Sequence, residues 1–200
     1  MLRSLVGSEM CIRDRDKVGD GMYRKDGYRY NYSQIVSNLT ADMNGLKTKV
    51  NKLEAAGSTQ ADNGFKRAVK VMENAPRTDA KKVVIFFADG VPTTQNAFST
   101  RVANNAVQTA LAMKSAGTLI YSIGIFEGAN PEQQSFDNWE NDQANQFMHA
   151  VSSNYPNATA YDKANWGTGG NLGYYKATNS ADDLTTVSYT HLTLPTTSRV

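Results

Sequence analysis

K-K-V-V-I-F-F-A-D-G-V-P-T-T, residues Lys81 to Thr94, carries five consecutive large apolar side chains, Val83 to Phe87, closed by an acid and a turn. The run is too short for an amphipathic helix, and its β-branched and aromatic content predicts a strand buried on both faces, as in the middle of a parallel sheet. Full burial of those five side chains would contribute at most on the order of 7 to 15 kcal/mol. In open α/β sheets ligands sit off the carboxyl ends of the strands, which is where Asp89 falls, with Gly90 and Pro92 turning the chain beyond it. Asp89 is therefore a candidate metal ligand or catalytic carboxylate. A turn aspartate that caps its own backbone would look the same.

The two ends read differently from the rest. Leu5 to Arg15, L-V-G-S-E-M-C-I-R-D-R, back-translates into a sequence resembling a transposase-type sequencing adapter. Val187 to Thr196, V-S-Y-T-H-L-T-L-P-T, resembles the partner adapter in the opposite sense. Residues 1–15 and 187–200 are accordingly set aside as adapter-like, leaving 16–186 as the domain. Removing four bases (Arg3, Arg13, Arg15, Arg199) and two acids (Glu9, Asp14) from the 21 and 19 of the whole chain leaves 17 of each. A neutral segment gives no electrostatic argument for nucleic acid or an anionic membrane. Cys11 is removed with the ends, which excludes disulfides and thiol chemistry from the remainder. No apolar stretch is long enough to span a bilayer.

Along the interior, Tyr28, Tyr30 and Tyr32 alternate with polar residues and predict the return strand of a hairpin near a sheet edge. Met43, Leu46, Val50 and Leu53 at helical spacing predict a helix over 40–56, opened near Asp42 and stopped by Gly57. A second helix is expected over 60–74 with Phe65, Ala68, Val69 and Met72 inward, and a third over 99–116 with Val102, Ala106, Ala110 and Met113, closed by Gly117. Thr118 to Phe126 reads as another buried strand, so strand, helix and strand form a parallel crossover. The polar stretch 127–142 reads as a solvated insertion, its acids lacking the spacing of a calcium loop. Residues 143–153 follow as a helix with Ala144, Phe147, Met148 and Val151 inward and His149 on its surface. Ala158 to Tyr161 and Tyr174 to Ala177 are short strand candidates, and Ser180 a candidate N-cap.

Gly167, Gly169, Gly170 and Gly173 miss the dinucleotide spacing G-x-G-x-x-G, and no P-loop motif occurs. Phosphatases of the haloacid dehalogenase type end a buried strand in D-x-D-G, but Phe87 stands where the nucleophilic aspartate would be. F-F-A-D-G-V-P-T fits another pattern. Preceded by A-G-S-T-Q-A-D-N-G-F and followed by a helix and L-I-Y-S-I-G-I-F, it resembles the von Willebrand factor type A domain, most specifically over Gly57 to Ile125.

The resemblance implies an α/β fold, a Rossmann-like doubly wound and mostly parallel sheet, here incomplete because the first strand and helix are missing. It also implies a metal-ion-dependent adhesion site. Thr59 matches the loop threonine, five residues before Gly64, and Asp89 the aspartate of the strand-end turn. Gly57, Ser58 and Gly90 would shape the loops; Ala88 and Ser58 depart from the usual residues, and the D-x-S-x-S of the first strand does not occur. Asp62, one turn into the second helix, could brace the site but reads first as an acid favouring the helix start. The implied cofactor is Mg2+, or Mn2+ or Ca2+, weakly held or absent in this segment. The implied partner is a protein or extracellular-matrix ligand offering an acidic side chain. Asn145 to Ala158 and the closing Y-Y-K-A-T-N-S-A-D-D-L resemble bacterial secreted or wall-anchored proteins, so the expected location is the cell surface. The resemblance implies binding and no enzyme. Two alternatives stay open, a domain docking onto an intracellular chelatase or ATPase complex and a metal-dependent phosphohydrolase using Asp89.

Overall fold

The structure, a computed structural model, describes residues 3–7, 22–25, 28–31, 33–53, 59–75, 77, 79–94, 97–133, 135–137, 140–169 and 172–178. Strand β5 (Val83–Ala88) pairs in parallel with β8 (Leu119–Gly124), in register from Val83 opposite Leu119 to Ala88 opposite Gly124. β8 in turn pairs in parallel with β9 (Tyr175–Ala177), giving a three-stranded sheet in the order β5-β8-β9. Helix α3 (Thr100–Ser115) makes the crossover. Its first turn is capped by Ser99, whose hydroxyl accepts from the Val102 amide, and it ends at Gly117 with φ +82°, where a side chain would be strained.

One face of this sheet is the core. Successive side chains along a strand point to opposite faces, and Val84 and Phe86 pack inward against α2 (Ala61–Glu73), α3 and α4 (Glu140–Val151). Phe86 meets Phe65 of α2 at 5.1 Å between ring centroids and Phe147 of α4 at 5.9 Å. Val102, Ala103, Ala106, Val107 and Ala110 are fully buried, and small alanines let α3 lie close to its neighbours.

The other face corrects the expectation of a strand buried on both sides. Ile85 is 37% and Phe87 45% exposed. Among the described residues β5 is an outer strand, with β8 on one side only, so a sequence suited to the middle of a sheet lies at its rim. Burial here comes from Val84, Phe86 and Ala88, and the five-residue sum expected from sequence is not reached.

The remaining strands form separate ladders. β2 (Met22–Lys25) and β3 (Tyr28–Asn31) make the anticipated antiparallel hairpin, and β6 (Thr93–Thr94) pairs with β7 (Ala97–Phe98). β4 (Gln34–Thr40) pairs antiparallel with β1 (Arg3–Gly7), part of the segment set aside as adapter-like. That ladder has two register shifts between Arg3 and Val6, an irregular match of the kind an open strand edge accepts from any extended segment.

Helix α1 (Met43–Val50) is shorter than its apolar spacing suggested. Asp42 caps it by accepting from the Gly45 amide, but only Leu46 is buried and Val50 is 40% exposed. Residues 158–161 form no strand; Ala158 is buried within a loop, followed by single 3-10 turns at Lys163–Asn165 and Leu172–Tyr174. The Ser180 cap lies outside the described residues.

Glu127, Gly128, Asn130, Glu132, Ser135 and Asp137 are exposed, as expected of a solvated insertion, but the stretch is also anchored. Asn145, fully buried on α4, accepts from the Asn130 amide at 2.8 Å and from the Tyr175 hydroxyl, and donates to the Gly128 carbonyl and Gln133 Oε1, both at 2.8 Å. All four hydrogen-bonding positions of the amide are used.

Candidate metal centre

Asp89 follows the last residue of β5, and Thr59 stands two residues before α2. Two backbone-directed bonds tie these loops together. Thr93, in the turn beyond Asp89, donates its amide to the Thr59 carbonyl at 3.0 Å, and the Thr59 amide donates to Thr93 Oγ1 at 3.0 Å. Gln60 adds a longer bond from its side-chain amide to the Thr93 carbonyl at 3.4 Å. The backbone of Thr59 is thus committed, while its hydroxyl makes no hydrogen bond with any described residue. Asp89 is exposed, and its carboxylate likewise meets no hydrogen-bond donor or cation among the described residues.

The turn owes little to Gly90. A Cβ placed there would meet nothing within 4 Å, and the backbone is outside the left-handed region, so glycine is not required by sterics. Burial of Val91 and Pro92 holds the turn, together with the bond from the Ser99 amide to the Pro92 carbonyl at 2.9 Å. Gly57 and Ser58 lie outside the described residues.

Asp62 does occupy the first turn of α2, where a negative charge is favoured. It is also only 3% exposed, accepts from the Asn63 amide at 2.9 Å, and takes the Asn105 side-chain amide of α3 at 3.5 Å. It therefore joins two helices as well as starting one. Thr93 is the residue that sequence reasoning missed. Its identity was visible, but nothing in a single sequence shows which loop a turn threonine will pair with.

One carboxylate and one neutral hydroxyl, both uncommitted among the described residues, are the oxygen donors that magnesium takes, so the donor set fits such an ion. Among the described residues no three His, Cys, Asp or Glu side chains converge on a common point. Two donors leave most of an octahedral shell to water or to a partner. A shallow polar hollow of about 250 Å³ lies elsewhere, between β4 and α1 and lined by Ser37, Thr40, Asp42 and Lys49, and contains neither candidate donor. No helix among the described residues is long and apolar enough to cross a membrane.

His149 corrects a second expectation. It is 1% exposed rather than on the helix surface, because Tyr155, Trp166 and Tyr175 fold back over it. The rings of Tyr155, Trp166 and Tyr175 lie 5.8, 5.2 and 4.9 Å from its own.

The von Willebrand factor type A domain model matches residues 27–172, a span that includes Thr59, Asp89 and the whole β5-α3-β8 crossover. No curated protein matches the chain. Domains of this kind serve in protein interaction and adhesion, and with well over half its length matched the chain belongs to the von Willebrand factor type A domain family.

Proposed function

We propose that the chain is a metal-dependent, adhesion-type binding domain of a bacterial surface protein, in which Thr59 and Asp89 are ligands of a magnesium ion. The observation that supports this is the pair of uncommitted oxygen donors on two loops joined through Thr93. A bound divalent cation supplies an electrophilic centre that an acidic side chain of a protein or matrix partner can complete. Asp89 contributes the one negative charge and Thr59 a neutral oxygen, so little of the ion's charge is neutralised from this side. Two donors alone hold magnesium weakly.

The same residues suit binding better than turnover. A hydrolase needs a base or nucleophile beside the ion, and His149, the one histidine of residues 16–186, is enclosed by aromatic rings. The cell-surface location rests on the resemblance of 145–158 and the closing segment to secreted and wall-anchored proteins.

The test is thermal unfolding with increasing Mg2+ or Mn2+. Ligand at ten times its dissociation constant stabilises a one-site protein by about 1.4 kcal/mol. The unchanged chain should show that rise, while Asp89→Asn and Thr59→Val should each reduce it strongly. An Asp89→Asn protein stabilised by the same ion as much as the parent would remove Asp89 from the site.

A further inference from the structure

We propose that His149 and Asn154 form an acid-sensitive latch that holds β9 against β8. His149 Nδ1 lies 3.2 Å from Asn154 Nδ2, and Asn154 Oδ1 accepts the Tyr174 amide at 2.8 Å. The bond to Tyr174 fixes which way the Asn154 amide points, so its NH2 group faces the imidazole. Nδ1 must then be the acceptor, and the ring proton resides on Nε2. Nε2 has no hydrogen-bond partner among the described residues and is walled in by rings. Tyr174 leads directly into β9, whose Tyr175 packs edge-on against the same imidazole.

A proton on Nδ1 would set donor against donor. Asn154 could accept from it only by turning its amide over, which surrenders the Tyr174 amide. Either way one of the two bonds of the His149–Asn154–Tyr174 relay is lost, leaving the Tyr175 hydroxyl on Asn145 as the hydrogen bond between α4 and the start of β9 among the described residues.

The charged and titratable groups around the ring supply no negative charge to pair with an imidazolium. From the turn at 163–165, Lys163 adds like-charge repulsion. From the loop at 155 and from β9, Tyr155 and Tyr175 are phenols pushed upward by burial, hence neutral. From α3, the Lys114 ammonium already takes the carbonyls of Ala150, Ser152 and Tyr155 at the end of α4, at 2.8, 3.1 and 2.8 Å. The helix end that would otherwise favour an imidazolium is thus occupied by another cation. On α4 itself, Asp142 accepts from Gln133 and from the Asp137 amide.

Burial first, and Lys163 second, depress His149 to about 4. The opened form, with an ordinary histidine near 6.5, therefore takes up the proton first. The closed form keeps its full stability above pH 6.5 and loses it progressively as pH falls from there towards about 4. The opening equilibrium rises about 30-fold between pH 7.5 and pH 5. Release would free the edge of the sheet two strands away from Asp89.

The experiment is amide hydrogen exchange at Tyr174 to Thr178, with protection corrected for intrinsic rates, from pH 7.5 to pH 5. Protection should fall about 30-fold in the unchanged protein. His149→Phe should remove the pH step whatever its baseline protection. Asn154→Asp should remove it as well, since a carboxylate accepts from Nδ1–H and from the Tyr174 amide together. A fall of less than about threefold in the parent overturns the latch. So does an equally steep fall in His149→Phe, or, if that variant does not fold, in Asn154→Asp.

Discussion

Replacing Thr93 by valine removes one atom of hydrogen-bonding consequence, Oγ1, while keeping a β-branched side chain of nearly the same size. The bond lost is the one from the Thr59 amide at 3.0 Å; the reciprocal bond from the Thr93 amide to the Thr59 carbonyl stays. Both residues are half-buried, so water replaces part of what is lost, and the net cost should be about 0.5–1.5 kcal/mol. In a domain of this size that lowers the melting temperature by roughly 2–4 °C for each kcal/mol. Thr59 would also lose half of what holds it to the turn after Asp89. If the Thr59 hydroxyl is a magnesium ligand, loosening it by about 1 kcal/mol weakens the ion about fivefold. Differential scanning calorimetry with and without Mg2+ reads both effects, and Thr93→Ser, which retains the hydroxyl, is the control. Equal melting temperatures for Thr93→Val and Thr93→Ser would refute the role assigned to this bond. A shift in melting with no change in Mg2+ response would confine the bond to stability and leave Thr59 outside the metal site.

Asn145→Asp keeps shape and acceptors but turns both donors into acceptors facing the Gly128 carbonyl and Gln133 Oε1; chemical denaturation should show a loss of about 3–5 kcal/mol at neutral pH, easing in acid as the new carboxyl protonates. Lys114→Met keeps the stem yet strips the donor from three carbonyls at the end of α4. Because burial already pulls that ammonium down to about 8, the net cost should be moderate, about 2–3 kcal/mol in the same assay, and a neutral result would mean that water satisfies those carbonyls equally well. Phe87 exposes 45% of a side chain of about 200 Å², or about 90 Å² worth about 2 kcal/mol in any self-association that covers it. Phe87→Lys should therefore shift sedimentation velocity profiles towards monomer without changing the melting temperature by more than a degree or so.

What could be read from the chain follows from how local each feature is. α2, α3 and β8 were visible because their periodic patterns face one continuous core, and Ser99 and Gly117 mark the ends of α3 by chemistry that acts within a few residues. Ile85 and Phe87 misled because an apolar run shows what a strand is suited to, whereas its neighbours are set by chain far away in sequence. His149 misled for a related reason. Its helical spacing put it beside the apolar stripe, and only the return of Asn154, Tyr155, Trp166 and Tyr175 buries it. At the candidate metal centre Thr59 and Asp89 were named from the resemblance alone, and the Thr93 partner of Thr59 was not legible, while a Cβ at Gly90 would meet nothing within 4 Å.

The two candidate donors belong to elements that the core itself clamps together. Thr59 leads into α2, Asp89 leaves β5, and the Phe65–Phe86 ring contact at 5.1 Å presses α2 against β5. The Thr59–Thr93 bonds then fix the loops at the same end. The ring contact lies on the covered face of the sheet, where α3 and α4 complete the packing, while Ile85 and Phe87 on the opposite face are exposed. Core substitutions should accordingly divide by face. Trimming Phe65 or Phe86 should weaken magnesium response along with stability, because it loosens the elements that carry the donors. Polar replacement of Ile85 or Phe87 should change association alone and leave the two loops where they are.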